Sequence, residues 1–199
     1  MSEIIFENVR KTYNEKTVLD GFCHTFAEGG RTAIMGASGA GKTTLARLLM
    51  GLEKPDSGVI SGIGDERFGC VFQEDRLIES ANAIDNIALV FKNVPREAVL
   101  NELAEVGLGS TNQGDSDPDL LRKPVSEFSG GMKRRVAIVR ALMSECDTVV
   151  LDEPFKGLDA GLKDKVMGYV GDRLGTRRLV LITHDKGEAE ALCEETIEL

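Results

Sequence analysis

Arg31-Thr32-Ala33-Ile34-Met35-Gly36-Ala37-Ser38-Gly39-Ala40-Gly41-Lys42-Thr43-Thr44 is the stretch whose reading decides the fold. Arg31 to Met35 reads as a short strand. It runs into a glycine-rich turn, and Leu45 to Leu52 then places apolar residues at helical spacing, with Gly51 suited to a helix end. Glycines let a backbone wrap tightly enough for several N–H groups to converge on one anion. The positive end of the following helix points at the same charge. The spacing G-x-x-x-x-G-K-T adds a lysine that reaches terminal phosphates and a hydroxyl, from Thr43, suited to Mg²⁺.

Working outward, Ile4–Val9, Phe68–Phe72, Thr148–Leu151 and Arg178–Thr183 also read as strands. Strands alternating with helical stretches predict an α/β fold with a mainly parallel sheet. The segment from Glu74 to Phe128 breaks this rhythm. Pro95 to Val106 reads as a helix, with proline in its first turn and Gly107 at its exit. Thr111 to Asp119 reads as a polar loop. The expected organisation is therefore one domain, 1–199, with an α/β core over 1–73 and 130–199 and a helical insertion over 74–129.

Composition narrows the classes. In 199 residues, 42% are hydrophobic and 29% charged, which excludes wholesale disorder. The longest apolar run, Ile87 to Phe91, is far short of the ~20 residues that span a bilayer. No basic segment leads into an apolar one after Met1, so no secretory signal is expected. A net charge of −9 disfavours a broad grip on nucleic acid. Cys23, Cys70, Cys146 and Cys193 form no C-x-x-C pair, and are expected to be reduced packing residues.

A second acidic site closes the Thr148 strand. Leu151-Asp152-Glu153-Pro154 puts a carboxylate at a buried strand end, where Asp152 suits Mg²⁺ and Glu153 can polarise a water toward a terminal phosphate. Phe128-Ser129-Gly130-Gly131-Met132 then starts an apolar helix, and a serine with free N–H groups at a helix start is a second anion site. Two such sites are redundant for one nucleotide in one chain.

That serine-glycine run resembles the signature motif of ATP-binding cassette (ABC) ATPases. Tyr13 is similar to the family's adenine-stacking aromatic, Gln73 to its Q-loop glutamine, Gly157-Leu158-Asp159 to its D-loop and Thr183-His184-Asp185 to its switch histidine. With the phosphate loop and the acidic pair, these marks run in order over nearly the whole chain. The resemblance implies a P-loop NTPase core with a mainly parallel sheet, an N-terminal antiparallel β region and an inserted α-helical subdomain. It implies ATP and Mg²⁺ as cofactors. Tyr13, Val18, Gly36, Ala37, Ser38, Gly39, Ala40, Gly41, Lys42, Thr43 and Thr44 would bind ATP. Thr43, Gln73 and Asp152 would hold the metal, and Glu153, His184, Gln73 and Lys42 would serve catalysis.

The family resolves the redundancy with a head-to-tail dimer, in which Ser129, Gly130 and Gly131 complete the partner's site; Asp159 is carried as the D-loop aspartate. The implied function is an ATP-hydrolysing subunit, peripheral on the cytoplasmic face of a membrane. It would work as a homodimer or heterodimer with separate permease subunits and a substrate-binding protein, and without nucleic acid. The tract Val71-Phe72-Gln73-Glu74-Asp75-Arg76-Leu77 is most similar to importers of the nitrate, sulfonate and taurine group. An exporter, a lipoprotein-release ATPase and a soluble ABC ATPase are the alternatives. Phe128 and Met132 depart from the leucine and glutamine most common in the signature. Lys133, Arg134 and Arg135 are expected on a solvated or phosphate-facing helix surface. His24 is expected to be structural, and Glu194, Glu195 and Glu198 solvated.

Overall fold

The computed structural model describes residues 2–91, 94–109 and 119–199. Most of the expected loop at Thr111 to Asp119 lies outside them. The chain divides into two compact units. The first is 1–68, 146–153 and 176–199; the second is 69–145 and 154–175.

The first unit opens with β1 (Ile4–Tyr13) and β2 (Lys16–Phe26), an antiparallel hairpin paired from Ile4↔Phe26 to Tyr13↔Lys16. Its two-residue turn has positive φ at both Asn14 and Glu15, the backbone hand that matches the twist of the flanking strands. β4 (Ser57–Ser61) pairs with the other side of β1. Phe6 anchors this sheet, with ring centroids of Phe22 and Phe26 each 5.7 Å away.

β3 (Arg31–Met35), β6 (Thr148–Asp152), β7 (Arg178–Ile182) and β8 (Glu195–Glu198) form the parallel sheet of this unit. They lie in the order β6-β7-β3-β8, with β7 between β6 and β3. β6 and β7 are buried along their whole length, as expected of parallel strands covered on both faces. The registers Asp152↔Ile182 and Ile34↔Ile182 bring the C-terminal ends of three strands to one edge. Two helices follow strands here, α1 (Lys42–Leu49) after β3 and α6 (Lys186–Leu192) after β7. β5 (Phe68–Val71) carries the chain out of the unit.

The second unit is helical. It holds α2 (Ala83–Ala88), α3 (Arg96–Glu105), α4 (Gly130–Met143) and α5 (Ala160–Leu174), with two short 3₁₀ turns before α4. The described part of 74–129 falls wholly inside it. α4 touches α2, α3 and α5, and Val136 and Val139 of α4 and Val166 and Val170 of α5 are fully buried.

Two expectations need correction. Arg134 and Arg135 are not on a solvated surface; they are 7% and 5% exposed. Their guanidinium groups bond to main-chain carbonyls, Arg135 to Val106 and Gly107 and Arg134 to residues before α2. A buried guanidinium is tolerated when its donors are satisfied. Nor do all four cysteines pack inside: Cys146 is buried, but Cys23 is exposed on the hairpin.

Candidate nucleotide-phosphate site

The loop 36–41 joins β3 to α1 through three glycines with positive φ, +142° at Gly36, +79° at Gly39 and +107° at Gly41. Two of them also have no room for a side chain. A Cβ on Gly36 would stand 2.5 Å from the Leu199 carbonyl oxygen, and one on Gly41 would stand 2.6 Å from Val18 Cγ1. The same contact places Val18 against the loop. Lys42, though 7% exposed, donates from Nζ to the carbonyls of Gly36 at 2.9 Å and Ala37 at 2.8 Å. Its charge is thus held by carbonyls of the loop itself. Ala37, Ser38 and Gly39 face solvent, and Ala40, half-buried, donates its N–H to the Ala37 carbonyl at 3.2 Å.

The acidic pair lies at the end of β6. Thr43 Oγ1 donates to Asp152 Oδ2 at 3.1 Å. Asp152 is nearly buried and Glu153 takes φ +48°, with its N–H donating to Ile182 O at 2.9 Å. A non-glycine residue in the left-handed region is uncommon. Here it turns the Glu153 carboxylate out of the strand line, 2.9 Å from His184 Nε2.

His184 sits on a turn fixed by its neighbours. The Thr183 hydroxyl donates to the buried Glu188 carboxylate and accepts from the Asp185 N–H, and Asp185 caps α6. Thr183 entered the sequence reading only as part of the switch-histidine run, and Glu188 was not among the candidates. Their five-residue separation carries no spacing signal for a contact that only the turn creates.

Tyr13 stands at the end of β1, 39% exposed. Its hydroxyl is hydrogen-bonded to Glu53 and to Thr44 of α1, and Lys11 Nζ lies 5.4 Å from its ring centroid. The first unit therefore gathers Tyr13, Val18, residues 36–44, Asp152, Glu153 and His184 around one loop.

The remaining candidates belong to the second unit. Ser129 caps α4, its hydroxyl accepting from the Met132 N–H at 3.3 Å. Asp159 caps α5, accepting from the Leu162 N–H at 3.0 Å. Both line one cleft with Gly130, Gly131 and Arg135. A Cβ on Gly131 would press Leu158 Cδ2 at 3.3 Å. Phe128, the unusual first signature residue, is buried. It fills the second unit's core, leaving Ser129 to hold the cap. Gln73 is exposed, two residues beyond β5.

Comparison with known proteins gives the family. The family model for the ABC transporter matches residues 19–156. The aliphatic sulfonates import ATP-binding protein SsuB 1 of Nocardia farcinica is 40% identical over 96% of this chain and 75% of its own length. The Fe(3+) ions import ATP-binding protein FbpC of Agrobacterium fabrum is 35% identical over 98% of this chain and 57% of its own. Among solved structures, a dimeric ATP-binding cassette in a post-hydrolysis state, bound to ADP and Pi, superposes with a TM-score of 0.83. It is 25% identical, over 98% of this chain and 94% of that one. With the family model over residues 19–156 and a relative at 40% identity, this chain belongs to the ABC transporter family as an ATP-binding, ATP-hydrolysing domain.

Proposed function

We propose that this chain is the ATPase subunit of a small-molecule importer and that it works as a sandwich of two such subunits. The observation that carries the site assignment is the convergence of Lys42, Thr43, Asp152, Glu153 and His184 at one edge of the parallel sheet. The importer reading draws support from the import roles that the sulfonate and iron relatives are named for. Among the described residues no helix is long and apolar enough to cross a membrane. Separate permease subunits, a substrate-binding protein and a place on the cytoplasmic face of the membrane follow as parts of the same proposal.

The residues divide the work. Loop N–H groups from Gly36 to Thr44 and the start of α1 cradle the phosphates. Lys42 exchanges its carbonyl partners for phosphate oxygens. Tyr13 and Val18 flank the loop on the side where a base would lie. Glu153 takes the role of general base, oriented by its hydrogen-bonding distance to His184. His184 stabilises charge on the terminal phosphate. The hydroxyl of Thr43 and the carboxylate of Asp152 are hard oxygen donors 3.1 Å apart, and this pair fits Mg²⁺. When bound there with ATP, Mg²⁺ neutralises developing phosphate charge. Gln73 is assigned as a further ligand for the metal or its water. Ser129, Gly130 and Gly131, with Asp159 beside them, are assigned to the partner subunit's nucleotide.

The test is size exclusion with light scattering on Glu153→Gln, with and without Mg-ATP, beside wild-type ATP turnover. The expected result is an ATP-dependent dimer of a variant that binds ATP but has lost about 10²–10⁴-fold in turnover. A variant that hydrolyses ATP at the wild-type rate would overturn the base assignment, and a monomer at saturating ATP would overturn the sandwich.

A further inference from the structure

The described site makes no use of Arg134 and Arg140, six residues apart on α4. Arg134 donates from Nη1 to the Phe72 carbonyl at 2.6 Å and from Nη2 to the Gln73 carbonyl at 2.7 Å. Its Nε lies 3.0 Å from Asp75 Oδ1, a charge contact rather than an aligned hydrogen bond. Arg140 donates from Nη1 to the Arg76 carbonyl and from Nη2 to the Asp75 carbonyl, both at 3.0 Å. Two side chains of one helix thus bind four of the five main-chain carbonyls between Phe72 and Arg76.

The loop they hold is tightly bent. Arg76 has φ +47°, and its guanidinium lies 3.9 Å from the Phe72 ring centroid, a cation–π contact that closes the bend. A non-glycine residue at positive φ is strained and persists only where its surroundings hold it. The Gln73 carbonyl is bound while the residue stays exposed. The helix that makes these bonds is capped by Ser129.

We propose that Arg134 and Arg140 are positioning residues for Gln73: they fasten the 72–76 loop to α4, so that Gln73 and Ser129 move as one body. Planar guanidinium forks suit this task, because they fix direction as well as distance. The inference rests on the assignment of Gln73 given above.

The experiment compares steady-state ATP turnover in wild type, Gln73→Ala, Arg134→Met, Arg134→Lys, Arg140→Met and the double variant Arg134→Met/Gln73→Ala. Urea melts of each accompany it. Gln73→Ala and Arg134→Met should each lower kcat about tenfold and change KM less than about twofold, because the residues that hold ATP in the first unit are untouched. Arg134→Lys keeps the charge near Asp75 but loses the fork, so it should behave like Arg134→Met. Arg140, only half-buried, should cost about threefold and serves as the test if Arg134→Met does not fold. The double variant should be no slower than Gln73→Ala alone, since residues acting through one another are not additive. Multiplying losses, or full rescue by lysine, would overturn the positioning role while leaving the Gln73 assignment intact. Wild-type turnover in Gln73→Ala would overturn that assignment and the positioning role with it.

Discussion

Arg178, the first residue of β7, is fully buried, and its replacement by methionine gives the strongest stability test of this fold. Its guanidinium donates to the Ala27 carbonyl at 2.9 Å, to Thr148 Oγ1 at 2.9 Å, to the Ser2 carbonyl and to the Glu66 carboxylate. The Glu66 side chain is 5% exposed and also accepts from Thr148. Arg178→Met keeps an apolar stem of similar length but leaves a carboxylate in the interior without its counter-charge. Breaking a buried ion pair from one side costs about 3–5 kcal/mol. For a chain of this size each kcal/mol moves Tm by roughly 2–4 °C, so a fall of roughly 6–20 °C is expected. Removing both charges, as in Arg178→Met/Glu66→Leu, takes away the stranded carboxylate and should recover part of the loss. Thr148 and Arg178 start their strands, whereas Glu153 and His184 follow the ends. Affinity for a fluorescent ATP analogue, measured well below Tm, should therefore stay at the wild-type value. Thermal and urea melts followed by circular dichroism read the stability. A single-variant loss under about 1 kcal/mol, or a double variant less stable than Arg178→Met, would refute the reasoning that the pair is a satisfied buried charge whose halves need each other.

Two further predictions concern the phosphate loop and pH. Gly41→Ala meets both a positive φ and Val18 Cγ1, whereas Gly39→Ala meets only the positive φ, with nothing within 4 Å. Analogue affinity should fall more than about tenfold in Gly41→Ala and less in Gly39→Ala; equal affinities in the two variants would contradict the steric reading. The Asp147 carboxyl is held below the usual carboxylate range by hydrogen bonds from the Arg67 side chain and backbone N–H. A depressed value in the folded state means that the unfolded chain binds this proton more tightly. The contribution is therefore present above the unfolded value of about 3.9 and lost as pH falls through the folded one. Melting temperatures of wild type and Asp147→Asn should differ at pH 7 and converge in acid, and a gap undiminished by acid would count against the pairing.

Much of the candidate site was legible because the chemistry proposed for it demands particular residue types at fixed spacing. A backbone that wraps an anion needs glycines, and Gly36 and Gly41 are positions where a Cβ would collide. The expected strand Arg31–Met35 coincides with β3, and the Thr148 and Arg178 strands agree within one residue. The resemblance implied an N-terminal antiparallel β region, but β2, β4 and β8 were not read as strands from their residues. β2 interrupts its apolar positions with Asp20, Gly21 and His24, and β4 opens Ser57-Gly58. β8 is Glu195-Thr196-Ile197-Glu198, and its acids, expected to be solvated, are exposed on a strand whose one partner among the described residues is β3. Charge on such an edge discourages pairing with another chain, and it also hides the strand from a reading based on apolar runs. His24 is half-buried against Phe26 and Glu195, and burial pushes its pKa down, in keeping with a structural residue.

The sequence by itself determined the local elements of this protein: the phosphate loop, the acidic strand end, the capped signature helix and the α/β class. Those signals are short in range, because turn geometry and helix caps depend on residues a few positions apart. Only the tertiary structure decided that Thr43 meets Asp152 across 109 positions and that Glu153 meets His184, since strand register is set by packing between distant segments. It also decided the fate of Arg134. A run of Lys133-Arg134-Arg135 looks solvated in one dimension, and becomes a buried fork once a loop 61 residues away offers its carbonyls.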